Sequence, residues 1–225
     1  MTASITDDVF RGYKVCRQTW KIAGRSFDLT WPADMDALLD LSTTQKRFEQ
    51  DGYMPYWAQP WPAAVMLAEA VLNGEPGDAR SAVDIGCGIG LVGLAAAVMG
   101  WSVTAGDYDD DALAFTELNA RRNGIILADC RKIDYRQPLD SPAYECVLGA
   151  DLTYEKRLCE PVARWIASGL KSEGLALISD PNRAVADAFF DCAQAVNLVV
   201  QQENVQTTIP DGTVYNGRIW RLTHK

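Results

Sequence analysis

Histidine is almost missing from this chain: a single one, His224, stands next to last among 225 residues. Ser-His and Cys-His nucleophilic catalysis and histidine zinc sites therefore have almost no material, and no metal is expected. The six cysteines (Cys16, Cys87, Cys130, Cys146, Cys159, Cys192) form no C-x-x-C pair. Several fall in apolar strand or helix patterns, the habit of reduced core thiols. No run of about 18 apolar residues exists, so no membrane span is expected. The opening stretch, Met1 to Asp8, lacks the basic-then-apolar layout of a signal peptide, and the expected location is cytoplasmic. Positive charge is also short, with 21 Lys and Arg against 30 Asp and Glu and a net charge of −9. A nucleic-acid enzyme usually shows a basic face, and only Arg121, Arg122, Arg131 and Lys132 offer a local group. The balance favours a basic or neutral partner, or serves solubility alone.

With 48% hydrophobic residues the chain has enough apolar content for a sizeable core. Tyr13–Trp20 and Arg25–Leu29 alternate apolar and polar residues about Ile22-Ala-Gly24, a hairpin pattern, and Asp34–Leu41 reads as a short helix. These elements form an N-terminal extension over residues 1–50, before a nucleotide-fold unit over residues 51–225. Tyr53 to Pro62 is aromatic and too broken by proline for a regular element. A helix follows over Ala63–Leu72, then a turn at Glu75–Asp78. Strands are expected at Ala82–Ile85, Ser102–Ala105, Ile126–Ile133, Tyr144–Leu148 and Gly174–Ile178. Helices alternate with them at Leu91–Met99, Ala112–Asn123, Glu155–Ser168 (with Pro161 as a kink) and up to Ala195. Two last strands, Leu198–Glu203 and Val214–Leu222, close the chain. The pattern is α/β, a doubly wound sheet with a terminal antiparallel hairpin and an N-terminal hairpin and helix.

The richest stretch is Ser81-Ala-Val-Asp-Ile-Gly-Cys-Gly-Ile-Gly90 and the apolar helix after it. A strand, a glycine turn and a helix start let backbone N–H groups approach a ligand closely. The spacing is G-x-G-x-G, and Leu91 stands where the dinucleotide pattern wants its third glycine. Asp84, just before the glycines, repels a pyrophosphate and suits an amine. Ligands of open parallel sheets bind beyond the strand ends, which here carry Asp84 and Gly86, Asp107 and Tyr108, Asp134 and Tyr135, Ala150 and Asp151 with Tyr154, and Asp180. Asp107 reads as a ribose-diol acceptor or a helix cap, and also suits NAD. Asp134 reads as an adenine partner or a turn cap. Cys87 lacks a basic neighbour and fits the loop by its small size. Trp57 and Trp61 read as core ballast or as a wall against a cationic or aromatic ligand. Asp151 reads as a site carboxylate or as the cap of the following helix.

The glycine stretch resembles motif I of the seven-β-strand S-adenosylmethionine (AdoMet) methyltransferases. Pro55 to Ala64, Val83 to Gly93, Asp107-Tyr-Asp109 and Asp151-Leu-Thr-Tyr154 together resemble the protein lysine methyltransferase branch that includes the electron-transfer flavoprotein β-subunit enzyme and bacterial relatives. Asp180-Pro-Asn-Arg183 is similar to a D-P-G-R stretch of bacterial members, with Asn182 departing from glycine.

The resemblance implies a seven-stranded Rossmann-like sheet with AdoMet as cofactor. Trp57, Asp84, Gly86, Cys87, Gly88, Gly90, Asp107, Tyr108, Asp134, Tyr135 and Ala150 would lie around it, and Asp151 and Tyr154 would serve the transfer. The implied activity is in-line N-methylation of a protein lysine, with a small-molecule N-methyltransferase and a non-catalytic AdoMet-binding module as alternatives. A nucleic-acid substrate is disfavoured by the charge.

Overall fold

The computed structural model describes residues 4–75, 77–78 and 81–225. The chain begins with an antiparallel sheet of β1 (Ser4–Phe10), β2 (Tyr13–Ile22) and β3 (Arg25–Pro32). The expected hairpin is β2 and β3, each longer than the alternation implied. β1 was not expected, because Ser4-Ile-Thr-Asp-Asp-Val-Phe10 shows too little alternation, and it joins β2 through backbone pairing.

Two helices follow, α1 (Met35–Leu39) and α2 (Ser42–Asp51), where only the first was expected. α2 buries Thr44 alone, so its sequence carries no apolar stripe to betray it. It stops at Gly52, whose φ of 72 supplies the left-handed cap that ends so many helices. The proline-aromatic segment then makes a single 3-10 turn over Tyr56–Ala58 before α3 (Pro62–Leu72). The expected turn at Glu75–Asp78 includes Pro76, which lies outside the described residues.

The main sheet holds β4 (Ser81–Ile85), β5 (Ser102–Asp107), β6 (Asp129–Lys132), β7 (Tyr144–Ala150), β8 (Leu170–Asp180), β9 (Leu198–Thr208) and β10 (Val214–His224). Their order is β6-β5-β4-β7-β8-β10-β9, with β10 antiparallel to both neighbours. This is the seven-stranded, doubly wound sheet with a terminal hairpin expected from the sequence. β6 is shorter than expected and β8 longer, starting directly after its helix. His224, next to last in the chain, ends β10 with Nε2 3.0 Å from the Leu170 carbonyl.

Successive residues of a strand face opposite sides, and the core divides accordingly. Ala82, Leu177 and Ile219 join a layer with α3, α4 (Leu91–Val98) and α5 (Asp110–Arg122). Val83, Ile178 and Trp220 join the other, with α6 (Lys156–Gly169) and α7 (Asp187–Ala195). α6 runs through Pro161 as one helix. No helix among the described residues is long and apolar enough to cross a membrane.

The small sheet is fastened to α5 by two asparagines one helical turn apart, Asn119 within the helix and Asn123 at its C-cap. Asn119 accepts from Thr30 N–H at 2.8 Å and donates to the Thr30 carbonyl at 3.0 Å, while Asn123 repeats the pattern on Asp28. Asn119 also donates to the Ile89 carbonyl at 2.9 Å, reaching the glycine loop. Asn119 is wholly buried, so truncation strands a backbone N–H and two carbonyls. Asn119→Ala is expected to cost about 3 kcal/mol in urea unfolding, given roughly 1–3 kcal/mol for each stranded group and partial relaxation. A loss under about 0.5 kcal/mol would show that the asparagine does not fasten the sheet.

Candidate active site

At the carboxyl ends of β4, β5 and β7, where the strand order reverses, a cleft of about 330 Å³ opens. Every residue expected at the cofactor or the transfer lines it, except Gly90. Gly90 caps α4 at φ 89 and faces the Thr116 side chain.

The loop after β4 is squeezed from two sides. Gly86 and Gly88 hold φ of 63 and 57; a Cβ on Gly86 would stand 2.5 Å from Leu152. One on Gly88 would stand 3.4 Å from the Trp57 carbonyl. Between them Cys87 is buried, its Sγ 3.4 Å from Thr116 Oγ1. Burial, then the carboxylates of Asp107 and Asp84, hold its thiol well above the ordinary range, which rules out a thiolate nucleophile at neutral pH.

Asp84 and Asp107 sit at the ends of β4 and β5, almost wholly buried. Asp84 Oδ2 accepts the Gly93 N–H of α4 at 2.8 Å. Burial nonetheless pushes its carboxyl up to about 7, and Asp107 adds to the rise. Asp107 accepts Gly88 N–H and Asp109 N–H, both at 2.9 Å, and burial pushes it up to about 6 against those two bonds. It is not the cap of α5: Asp109 is, through Asp111 N–H at 2.8 Å. Among the described residues, no Lys or Arg is ion-paired to either carboxylate, and the bonds they accept come from backbone N–H groups. A ligand with a cationic amine and a diol fits these acceptors. A pyrophosphate does not, because the Gly88 N–H already serves Asp107 and both carboxylates would repel it.

A second network, which the sequence reading missed, ties the aromatic segment to α5. Trp57 Nε1 donates to the Tyr53 hydroxyl at 3.1 Å; Tyr53 in turn donates to Asp109, which also receives Arg47 at 2.7 Å. The Arg47 guanidinium lies 3.4 Å over the Tyr53 ring. Trp57 is both core and wall: it packs on Phe115 at 5.5 Å and lines the cleft. Asp134 takes its turn-cap role, holding Arg136 by backbone and guanidinium. Arg136 also reaches Asp51 at 3.0 Å and lies 4.5 Å over the Tyr108 ring. The D-x-D step at 109–111 was a readable cap signal, whereas Arg47 and Arg136 carried none.

Asp151 and Tyr154 occupy the turn after β7. Asp151 has φ 54, a left-handed conformation that costs about 1 kcal/mol or more outside glycine. It does not cap α6, whose start has no side-chain cap. Instead Arg183 forks onto it, Nε to Oδ1 and Nη2 to Oδ2, both at 2.7 Å. Tyr154 meets Tyr56 edge-on at 5.0 Å, and Tyr56 meets Trp61 at 6.0 Å. Trp61 Nε1 fixes the turn by donating to the Tyr56 carbonyl at 2.6 Å. Burial pushes the Tyr154 phenol up to about 12 and raises Tyr135 also, so both stay protonated at neutral pH. Arg183 was legible only as part of a motif and carried no expected role.

A family model described as lysine methyltransferase matches residues 43–195, more than half of the chain. The electron transfer flavoprotein beta subunit lysine methyltransferase of Danio rerio is 32% identical over 133 residues, 58% of this chain and 51% of that protein. The ribosomal protein L11 methyltransferase of Alteromonas mediterranea is 36% identical over 104 residues, 44% of this chain and 33% of that protein. The chain thus spans about half the length, or less, of these curated relatives. Among solved structures, the T. thermophilus 16S rRNA N2 G1207 methyltransferase (RsmC), in complex with AdoMet and guanosine, aligns with a TM-score of 0.62. It is 12% identical, covering 94% of this chain and 51% of that one, a likeness of fold.

A carboxyl whose native pKa lies above its unfolded value binds its proton more tightly when folded. The native state therefore loses stability as pH rises from about 4 toward about 7. Asp84→Asn removes that loss while keeping an acceptor for Gly93 N–H. Its Tm gain over the parent is expected to be larger at about pH 8 than at about pH 5 by roughly 5 °C. A gain independent of pH would mean that Asp84 is not held as a high-pKa carboxyl.

Proposed function

We propose that this chain, which belongs to the lysine methyltransferase family, transfers a methyl group from AdoMet to the side-chain amine of a protein lysine. The observation that carries this reading is one cleft holding two buried carboxylates without cations, Asp84 and Asp107, together with Asp151 and an aromatic rim. Residues 51–225 are the methyltransferase domain in this reading, and residues 1–50 an extension that lends it Arg47. Both curated relatives are named for protein substrates, which supports a protein over a small molecule. The net charge of −9 suits a basic or neutral protein partner in the cytoplasm rather than nucleic acid or a membrane.

Bound AdoMet supplies an activated methyl group on a sulfonium. Asp84 receives the ammonium of its amino-acid end, and Asp107 the ribose hydroxyls. Gly86, Cys87 and Gly88 allow close approach of the backbone, while Ala150 leaves room at the end of β7. Tyr108, Asp134 and Tyr135 flank the base, and Trp57 closes the wall. Asp151 accepts an N–H of the incoming amine, and Tyr56, Trp61 and Tyr154 shape its path. A lysine amine must shed a proton held with a pKa of about 10.4. Burial near positive charge lowers that value, and water takes the proton because no histidine is at hand. Orientation by these residues is the main catalytic device, worth up to about 7–11 kcal/mol.

Purified protein, methyl-labelled AdoMet and lysate from a strain lacking the gene test the reading. The expected product is a labelled band that protease removes, nuclease leaves, and acid hydrolysis converts to methyl-lysine. Asp151→Ala should cut labelling about a hundredfold or more. Label confined to small molecules would replace the reading with a metabolite N-methyltransferase, and AdoMet binding without transfer would mark a non-catalytic module.

A further inference from the structure

We propose that Arg183 is a positioning residue that neutralises Asp151, so that the incoming lysine is held as a neutral amine rather than as an ammonium. The proposal rests on the lysine methyltransferase reading above. A bare buried carboxylate facing an amine favours the protonated form, which has no lone pair for attack; an opposite charge within about 4–6 Å shifts a pKa by roughly 1–3 units. Asp151 is buried, so solvent screens that effect little. The Arg183 fork engages both carboxylate oxygens, and the pair carries no net charge. Each oxygen keeps a further lone pair that can accept an N–H and orient the amine.

Arg183 is held in place for this contact. Its backbone N–H donates to Asp180 Oδ1 at 2.9 Å, and its carbonyl accepts Arg218 Nη2 at 2.9 Å. Arg218 itself bonds Asp180 at 3.2 Å and Asp187 at 2.7 Å, and lies 4.6 Å over the Trp220 ring. Asn182 before it takes φ 61, the left-handed turn that asparagine tolerates in place of glycine. The departure from D-P-G-R therefore leaves the turn intact.

The other charged or titratable groups near the fork leave Arg183 as the cation on Asp151. Asp180 and Arg218 stand behind it as a pair, and Glu155 holds Arg157 at 2.5 Å. Tyr56, Tyr135 and Tyr154 add phenols to the same cleft.

The test is the pH dependence of label transfer from AdoMet to the protease-sensitive lysate band, for the wild type, R183Q, R183K, D151N and the double variant. AdoMet affinity by calorimetry reports the folding of each. R183Q is expected to move the rising limb of kcat, the labelling rate at saturating substrate, upward by about 1–2 pH units, with a tenfold or greater loss at neutral pH that recovers in alkali. R183K, which keeps the charge, should hold the limb within about half a unit. In the D151N background R183Q should move nothing further. An unmoved limb in R183Q, or a loss equal at every pH, overturns the proposal alone. If R183Q does not bind AdoMet, a limb displaced in R183K by a full unit overturns it. No labelled protein band with the wild type overturns the lysine reading and this proposal with it.

Discussion

Two carboxylates buried without cations govern the rest of this molecule. Burial of an ionised carboxylate is expensive, and proteins usually offset it with an Arg or Lys. Here, among the described residues, Asp84 and Asp107 are met by backbone N–H groups and by no ion-paired cation, and both remain raised, to about 7 and about 6. The constraint extends outward. Asp107 can accept Gly88 N–H only if the loop takes its left-handed turns, and Asp84 can meet Gly93 only if α4 packs against the end of β4. A side chain at position 93 would stand 3.2 Å from Asp84 Oδ2. The glycine loop is thus shaped by acceptors as much as by the ligand it admits.

The N-terminal elements serve the same loop. Asn119 joins β3 to the Ile89 carbonyl, while Arg47 of α2 supplies the cation for Asp109. Positive charge in the cleft goes to Asp109, Asp134, Asp51 and Asp151. The strand ends of β4 and β5 alone are left for a cationic ligand. A stability cost at those two positions is the expected counterpart of ligand affinity.

Much of this was legible in the sequence because it is local. The glycine spacing, the apolar strands and the acidic residues at their ends needed no long-range information, and seven strands with a terminal hairpin followed from alternation alone. Trp57 and Asp151 were recognisable from their motifs, though not their partners. β1 and α2 escaped because neither carries an apolar period: β1 pairs with β2 despite its weak alternation, and α2 buries Thr44 alone. Gly90, expected beside the ligand by its place in a motif, stands at the start of α4 against Thr116 and outside the cleft lining. Arg183, Arg136 and Arg47 were invisible as site residues, since an arginine's target is set by which loops the fold brings together.

The electrostatic claim is tested most directly by titrating AdoMet into the protein at about pH 6.5 by calorimetry, in buffers of differing ionisation heat. At that pH Asp84 is mostly protonated in the free protein, and an ammonium seated against it would force its ionisation. The account predicts release of about three-quarters of a proton per ligand, falling away by about pH 8 and absent in Asp84→Asn. Binding with no proton release, or with uptake, would contradict it.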